Sequence, residues 1–217
     1  MLYYLTILIC MIIISIVDVI VAAPIFSFDV WYIILAVVIS TVSVIAIDGV
    51  CATLSRWIFP KKWFGVDKKF FSAGKKECRF YEKIGIKKWK EKVLELGVFA
   101  NFRKNKIADP NNNEYIARYI YEANCGILGH ALGVIFGYLI IFIYPLPFWL
   151  CFGFPVATVN LVLSSMPLMI LRYNLPKLHT LYKYNARRER KNMASNSSTD
   201  AANISADNTD KNKTTEK

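Results

Sequence analysis

A carboxylate and a histidine, Glu122 and His130, lead into one apolar stretch of this chain, and Arg172, Tyr173 and Asn174 leave the next. An acid or base at the centre of a membrane helix costs roughly 2.5 kcal/mol even on a favourable scale, so such groups need a reason to be there. His130 is placed about two turns below a membrane surface, where a hydroxyl substrate can meet a base. The plainer alternative is an interhelical hydrogen bond inside a bundle. His130 follows Glu122 by eight residues, roughly 12 Å of rise along an ideal helix. The two share a side of that helix, and contact between them requires a bend at Gly126 or Gly129, or a substrate or water in between.

The elements that must position these groups are apolar spans. The chain has 217 residues, of which 55% are hydrophobic, with a mean hydropathy of +0.34. That is too apolar for an ordinary soluble domain. Four stretches carry the excess: about Leu2 to Ala23, about Val30 to Leu54, about Cys125 to Tyr144, and a fourth ending near Leu171. Each approaches the roughly 20 residues needed to cross a hydrocarbon core. Pro24 separates the first pair, and Pro145 with Pro147 turns the third stretch into the fourth. The expected fold is therefore all-α, an integral membrane protein of about four transmembrane helices in two hairpins. Residues 1–55 form the first hairpin, 56–121 a basic, aromatic-rich segment, 122–182 the second hairpin, and 183–217 a tail.

Charge sets the expected orientation. Arg56 to Asn113 holds 16 Lys or Arg against 6 acids, and Arg172 to Lys191 holds 7 against 1, while the hairpin turns hold no base. By the positive-inside rule both termini and the central segment are cytoplasmic, and the protein is expected to be a multi-pass membrane protein. A cleaved leader ending near Ala23 is the weaker alternative, because a basic region before it is missing. Cys10, Cys51, Cys78, Cys125 and Cys151 form no close-spaced pair, so neither a disulfide framework nor a metal site is expected. The tail from about Asn192 is polar throughout and is expected to lack structure.

In the central segment the bases alternate with Trp57, Phe59, Trp63, Phe64, Phe70, Phe71, Phe80, Tyr81 and Trp89. This mixture suits a membrane surface, with rings at headgroup level and lysines on anionic phosphates. No nucleic-acid reader motif is present, so nucleic acid is not an expected partner. Phe80 to Leu96 reads as a helical pair broken near Gly85. Lys87, Lys88, Lys90 and Lys92 edge its apolar face, either as a solvated charge run or as a hold for the phosphates of a lipid or acyl carrier. Asn113 is the expected N-cap of a helix whose Glu114, Arg118 and Glu122 recur every fourth residue. Gly129, Gly133 and Gly137 also repeat at four, a face that allows close helix contact in membranes. Asp18 and Asp48 are the remaining acids within spans, readable as paired or interfacial groups, and His179 reads as a solvated surface residue.

Three blocks carry a resemblance: Phe80-Tyr81-Glu82-Lys83-Ile84-Gly85-Ile86-Lys87-Lys88-Trp89-Lys90-Glu91-Lys92, Glu122 through His130, and Arg172-Tyr173-Asn174-Leu175-Pro176-Lys177-Leu178. In order and spacing they resemble the glycosyl-4,4'-diaponeurosporenoate acyltransferase family of bacterial carotenoid synthesis, over roughly residues 56 to 182. Ile127, Ala131, Leu171 and Leu175 stand where that family usually has glutamate, tryptophan, glutamine and arginine. The resemblance implies a membrane acyltransferase that esterifies a sugar hydroxyl of a glycolipid, as in the last step of glycosylated C30 carotenoid synthesis. No bound cofactor is implied. Acyl-CoA or another acyl thioester is the co-substrate, and membrane lipids and a glycosylated carotenoid or other glycolipid are the partners.

Such a transfer needs a base, an oxyanion stabiliser and a site that excludes water. His130 is the in-span group that ordinarily titrates near neutrality, so it is the base by elimination. Glu122 binds sugar hydroxyls or orients the imidazole. Arg172, Tyr173 and Asn174 hold carrier phosphate or carbonyl oxygen, with Lys87, Lys88 and Lys90 adding positive potential. The rival is a non-catalytic four-helix scaffold or lipid-binding protein, in which Glu122 and His130 pair inside the bundle. A transporter is disfavoured because no repeated or interrupted span is visible.

Overall fold

A computed structural model describes residues 2–93, 107–144 and 148–214 of the chain, with side chains for 5–93, 107–144 and 150–194. It is helical, with no strand among the described residues. Helices α1 (Leu2–Phe26) and α2 (Val30–Trp57) form the first hairpin. Short helices α3 (Lys75–Lys83) and α4 (Ile86–Trp89) follow two 3-10 turns in the central segment. Helix α5 (Asn113–Phe136) continues as a 3-10 stretch through Ile143, and α6 (Phe148–Cys151) precedes the long α7 (Gly153–Thr214). Four of the helical segments are long and apolar enough to span a membrane, which makes this an integral membrane protein.

Several sequence-level boundaries move. Pro24 lies inside α1, in its last turn, where its missing N–H forfeits only one helical bond. The break comes instead at Ser27, whose φ of 54° is left-handed, and Asp29 then caps α2 by accepting from the Trp31 N–H at 2.7 Å. Asn112, one residue before the expected cap, accepts from the Tyr115 N–H at 3.0 Å. The proposed turn at Pro145 and Pro147 and the end of the amphipathic pair at Leu96 lie outside the described residues. The pair itself is present, split by Gly85 at φ 74° between α3 and α4.

The helix of the fourth span continues past Leu171, and the tail expected to lack structure is helical through Thr214. Helix α7 runs through Pro167 and Pro176 to Thr214. From Lys177 to Thr214 the sequence has no Pro or Gly, so nothing halts a helix that is already nucleated. Pro176 costs α7 the hydrogen bond that the Arg172 carbonyl would accept four residues earlier. The Ala73 N–H fills that vacancy at 3.1 Å, which joins the central segment to α7 where the proline opens it.

Helix α5 is the centre of the bundle and runs antiparallel to both neighbours. Towards α2, Ser55 Oγ donates to the Cys125 carbonyl at 3.4 Å. A Cβ on Gly129 would lie 3.1 Å from the Ala52 Cα, and one on Gly133 would overlap Asp48 Oδ1. A Cβ on Gly137 would meet Val44 at 3.3 Å. Residues 44, 48 and 52 thus face 137, 133 and 129, and the expected small-residue face is the α2–α5 seam. Towards α7, a Cβ on Gly126 would meet Leu171 and one on Gly137 would meet Asn160.

The seam and the chain direction bring Arg56, Glu122 and Arg172 to the same end of the bundle as the central segment. Phe64 and Phe71 are buried there with Ile116, Ile120 and Ile127 of α5 and Leu175 and Leu178 of α7. These two rings are core, contrary to a uniform headgroup role for the aromatics. Trp57 and Phe70, 84% and 83% exposed, keep the surface position expected of them. At the opposite end Tyr144 donates to the Ala36 carbonyl at 2.9 Å and lies 3.0 Å from Ser40 Oγ.

Candidate functional site

The expected groups fall into two clusters. The first joins the central segment to α7. Arg172 donates Nε and Nη2 to the two carboxylate oxygens of Glu77, at 2.6 and 2.9 Å, and Nη1 to the Phe70 carbonyl at 3.3 Å. Tyr81 adds a third donor to Glu77. The Arg172 fork is the main reason the Glu77 carboxyl titrates low, at about 2. Burial, reinforced by the bond to Glu77, pushes the Tyr81 hydroxyl up to about 12.

One turn along, Glu82 accepts from Tyr173 Oη at 2.9 Å and from Lys87 Nζ at 2.8 Å. Lys87 chiefly holds the Glu82 carboxyl below its ordinary range, and Glu82 raises Lys87 in return. Lys177 Nζ lies 4.8 Å from the Tyr173 ring centroid. Tyr173 packs with Ala73, Tyr81, Ile86 and Ile170, so α3 and α4 lie on α7 through an apolar layer. Tyr173, Arg172 and Lys87 are therefore brought together, each on an internal partner. Lys88 is exposed, and Lys90 and Asn174 are half-buried. Among the described residues the side chains of these three have no hydrogen bond or ion pair.

The second cluster lies along the α2–α5 seam. Glu122 pairs with Arg56 of α2 at 3.1 Å. Helix α5 shows no break at Gly126 or Gly129, so Glu122 and His130 stay two turns apart and the carboxylate turns to Arg56 instead. His130 is half-buried and, among the described residues, makes no side-chain hydrogen bond. It sits between Gly129, packed on Ala52, and Gly133, packed on Asp48. Asp48 accepts from Ser164 Oγ at 2.8 Å and from Asn160 Nδ2 at 3.4 Å, and Ser164 also reaches Asn160 Oδ1 at 3.2 Å.

Of this polar knot between α2 and α7, Asp48 was noted from sequence as an in-span acid, but its α7 partners were not. Their signal was present, since Asn160 and Ser164 stand four residues apart in an apolar run, as polar neighbours on one helix face. His179, read as a surface residue, is half-buried with a shielded Nε2. Asn124 and Asn185, also missed, fasten irregular backbone: each donates its amide, to the carbonyls of Phe64 at 3.0 Å and Pro110 at 2.8 Å respectively.

The arrangement offers a base-capable imidazole within the bundle, a carboxylate at its rim, and, at the same end, the side chains of Lys88 on α4 and Lys90 just after it, unpaired among the described residues. A family model described as glycosyl-4,4'-diaponeurosporenoate acyltransferase matches residues 60–184, the portion that runs from the central segment through both clusters on α5 and α7. No curated protein and no solved structure matches the chain.

Proposed function

Since the chain belongs to the glycosyl-4,4'-diaponeurosporenoate acyltransferase family, we propose that it esterifies a sugar hydroxyl of a membrane glycolipid with a fatty acyl group from a thioester. A glycosylated C30 carotenoid is the acceptor, acyl-CoA or another acyl thioester the donor, and the bacterial cell membrane the location, with both termini cytoplasmic. The family match over more than half of the chain carries this reading.

His130 takes the proton of the sugar hydroxyl as its oxygen attacks the thioester carbonyl carbon. The tetrahedral oxyanion collapses, the acyl–oxygen bond remains, and the thiolate leaves with the proton that His130 returns. Glu122, at the rim of the bundle beside Arg56, receives the sugar hydroxyls. Lys88 and Lys90 hold donor phosphate, and the Asn174 amide faces the developing oxyanion. Arg172, Tyr173 and Lys87 complete the binding wall through Glu77 and Glu82. The apolar bundle excludes water from the thioester.

A second reading has an observation of its own. Glu122, Arg172, Tyr173 and Lys87 are all satisfied internally, as a non-catalytic scaffold would require. Membranes containing the protein, given labelled acyl-CoA with glucosylated carotenoid acid or with a sugar-free carotenoid alcohol, separate the two. The enzyme makes an acyl ester of the glucosylated lipid alone. A scaffold makes none, and ester on the sugar-free lipid contradicts the proposed acceptor.

A further inference from the structure

Asp48 lies outside residues 60–184 and has no place in the chemistry so far. Its carboxylate covers Gly133, three residues beyond His130 on the same α5 face, where a Cβ would overlap it. It is held from the other side by the Ser164 hydroxyl and the Asn160 amide of α7. Ser164 and Asn160 are 2% and 7% exposed. A carboxylate drawn into a bundle between three helices needs such donors, and two of its lone-pair sites are filled by them. The carboxylate is thereby held one turn from His130 along the α2–α5 seam. Of the other charges on α2 and α5, Arg56 and Glu122 pair with each other two turns nearer the rim, and Glu114 and Arg118 lie farther out on α5.

We propose that Asp48 is a positioning residue for the His130 base, a fixed anion one turn away whose charge steadies the imidazolium formed when it takes the hydroxyl proton. This rests on the acyl-transfer reading above. Ser164 and Asn160 set the carboxylate, Gly133 leaves room for it, and α2 thereby contributes to a site otherwise built on α5, α7 and the central segment. A residue acting this way alters turnover more than substrate affinity, because the imidazolium exists only once the proton has moved.

The test uses the full-length protein in lipid vesicles. Asp48→Asn keeps the shape and removes the charge. It is expected to lower kcat at least about tenfold with KM for acyl-CoA and acceptor unchanged. The chain has two histidines, so nitrogen-15 histidine labelling in a His179→Gln background reports His130 alone. Asp48→Asn is expected to change the His130 ring-nitrogen shifts. Ser164→Ala, which frees the carboxylate without removing it, is expected to move both readouts in the same direction by less, and it decides the matter if Asp48→Asn does not fold. Wild-type kcat or unchanged ring-nitrogen shifts in a folded Asp48→Asn would overturn the proposal. If the wild type itself transfers no acyl group, the functional reading fails, and the nitrogen spectra alone decide whether Asp48 governs His130.

Discussion

Arg172 and Glu77, 95 residues apart in the chain, meet as a two-pronged ion pair, with Nε and Nη2 at 2.6 and 2.9 Å from the two carboxylate oxygens. With the Ala73 bond to the Arg172 carbonyl, this fixes the central segment to α7 at one residue from both its backbone and its side chain. The Arg172 and Glu77 side chains are 21% and 29% exposed, so the pair is partly shielded from water. Glu77→Gln is expected to destabilise the fold by about 2 kcal/mol, as befits charge-assisted bonds to a partly buried carboxylate. Thermal unfolding in detergent measures it.

The same pair gives a pH dependence of defined sign. Glu77 titrates at about 2 in the folded protein against 4.5 ordinarily. Its contribution is therefore complete above about 4.5 and disappears as pH falls from there towards about 2. The melting temperature of the wild type should drop across this window more steeply than that of Glu77→Gln. Parallel curves would mean that the pair does not form.

Glycine positions rank by what a methyl group would meet. A Cβ on Gly153 would lie 2.8 Å from the Ile141 Cα, backbone that cannot swing aside, so Gly153→Ala is expected to cost about 1–3 kcal/mol. Nothing lies within 4 Å of a Cβ on Gly49. Gly49→Ala, inside α2, should be neutral or stabilising by up to about 1 kcal/mol. Gly133→Ala displaces the Asp48 carboxylate and should reduce activity beyond its effect on stability. Paired melting and turnover measurements distinguish the three.

Glu122 and Arg56 separate stability from function. Their side chains are 26% and 42% exposed, so breaking the pair should cost below about 1 kcal/mol. Arg56→Ala is expected to leave melting nearly unchanged. Glu122→Gln should melt like the wild type yet raise KM for the glycolipid, since the carboxylate is assigned to sugar hydroxyls. An unchanged KM would remove that assignment.

The spans were legible because 18 or more apolar residues have few alternatives in water. So were the helix pair around Gly85 and the glycine seam, because both rest on local spacing. Pro24 misled because it was read as a break, whereas the last turn of α1 accommodates it, and α7 runs through Pro167 and Pro176 with Ala73 as an outside donor to the carbonyl that Pro176 leaves open. The partners of Arg172, Glu122 and Asp48 were not legible. They lie 95, 66 and 112 to 116 residues away, and charge balance alone does not say which acid meets which base. His130 was singled out from its depth in the span, and the carboxylate proposed to serve it comes from a different helix than Glu122.

Acyl transfer by His130 is tested most directly with wild-type, His130→Gln and His130→Ala proteins in membranes, given labelled acyl-CoA and glucosylated carotenoid, with the ester detected by mass spectrometry. The expected result is ester from the wild type and none above background from either variant, with all three inserted and melting alike. Full activity in His130→Gln, whose amide preserves hydrogen bonding without a titrating base, would contradict the assignment and leave His130 a structural residue of the bundle.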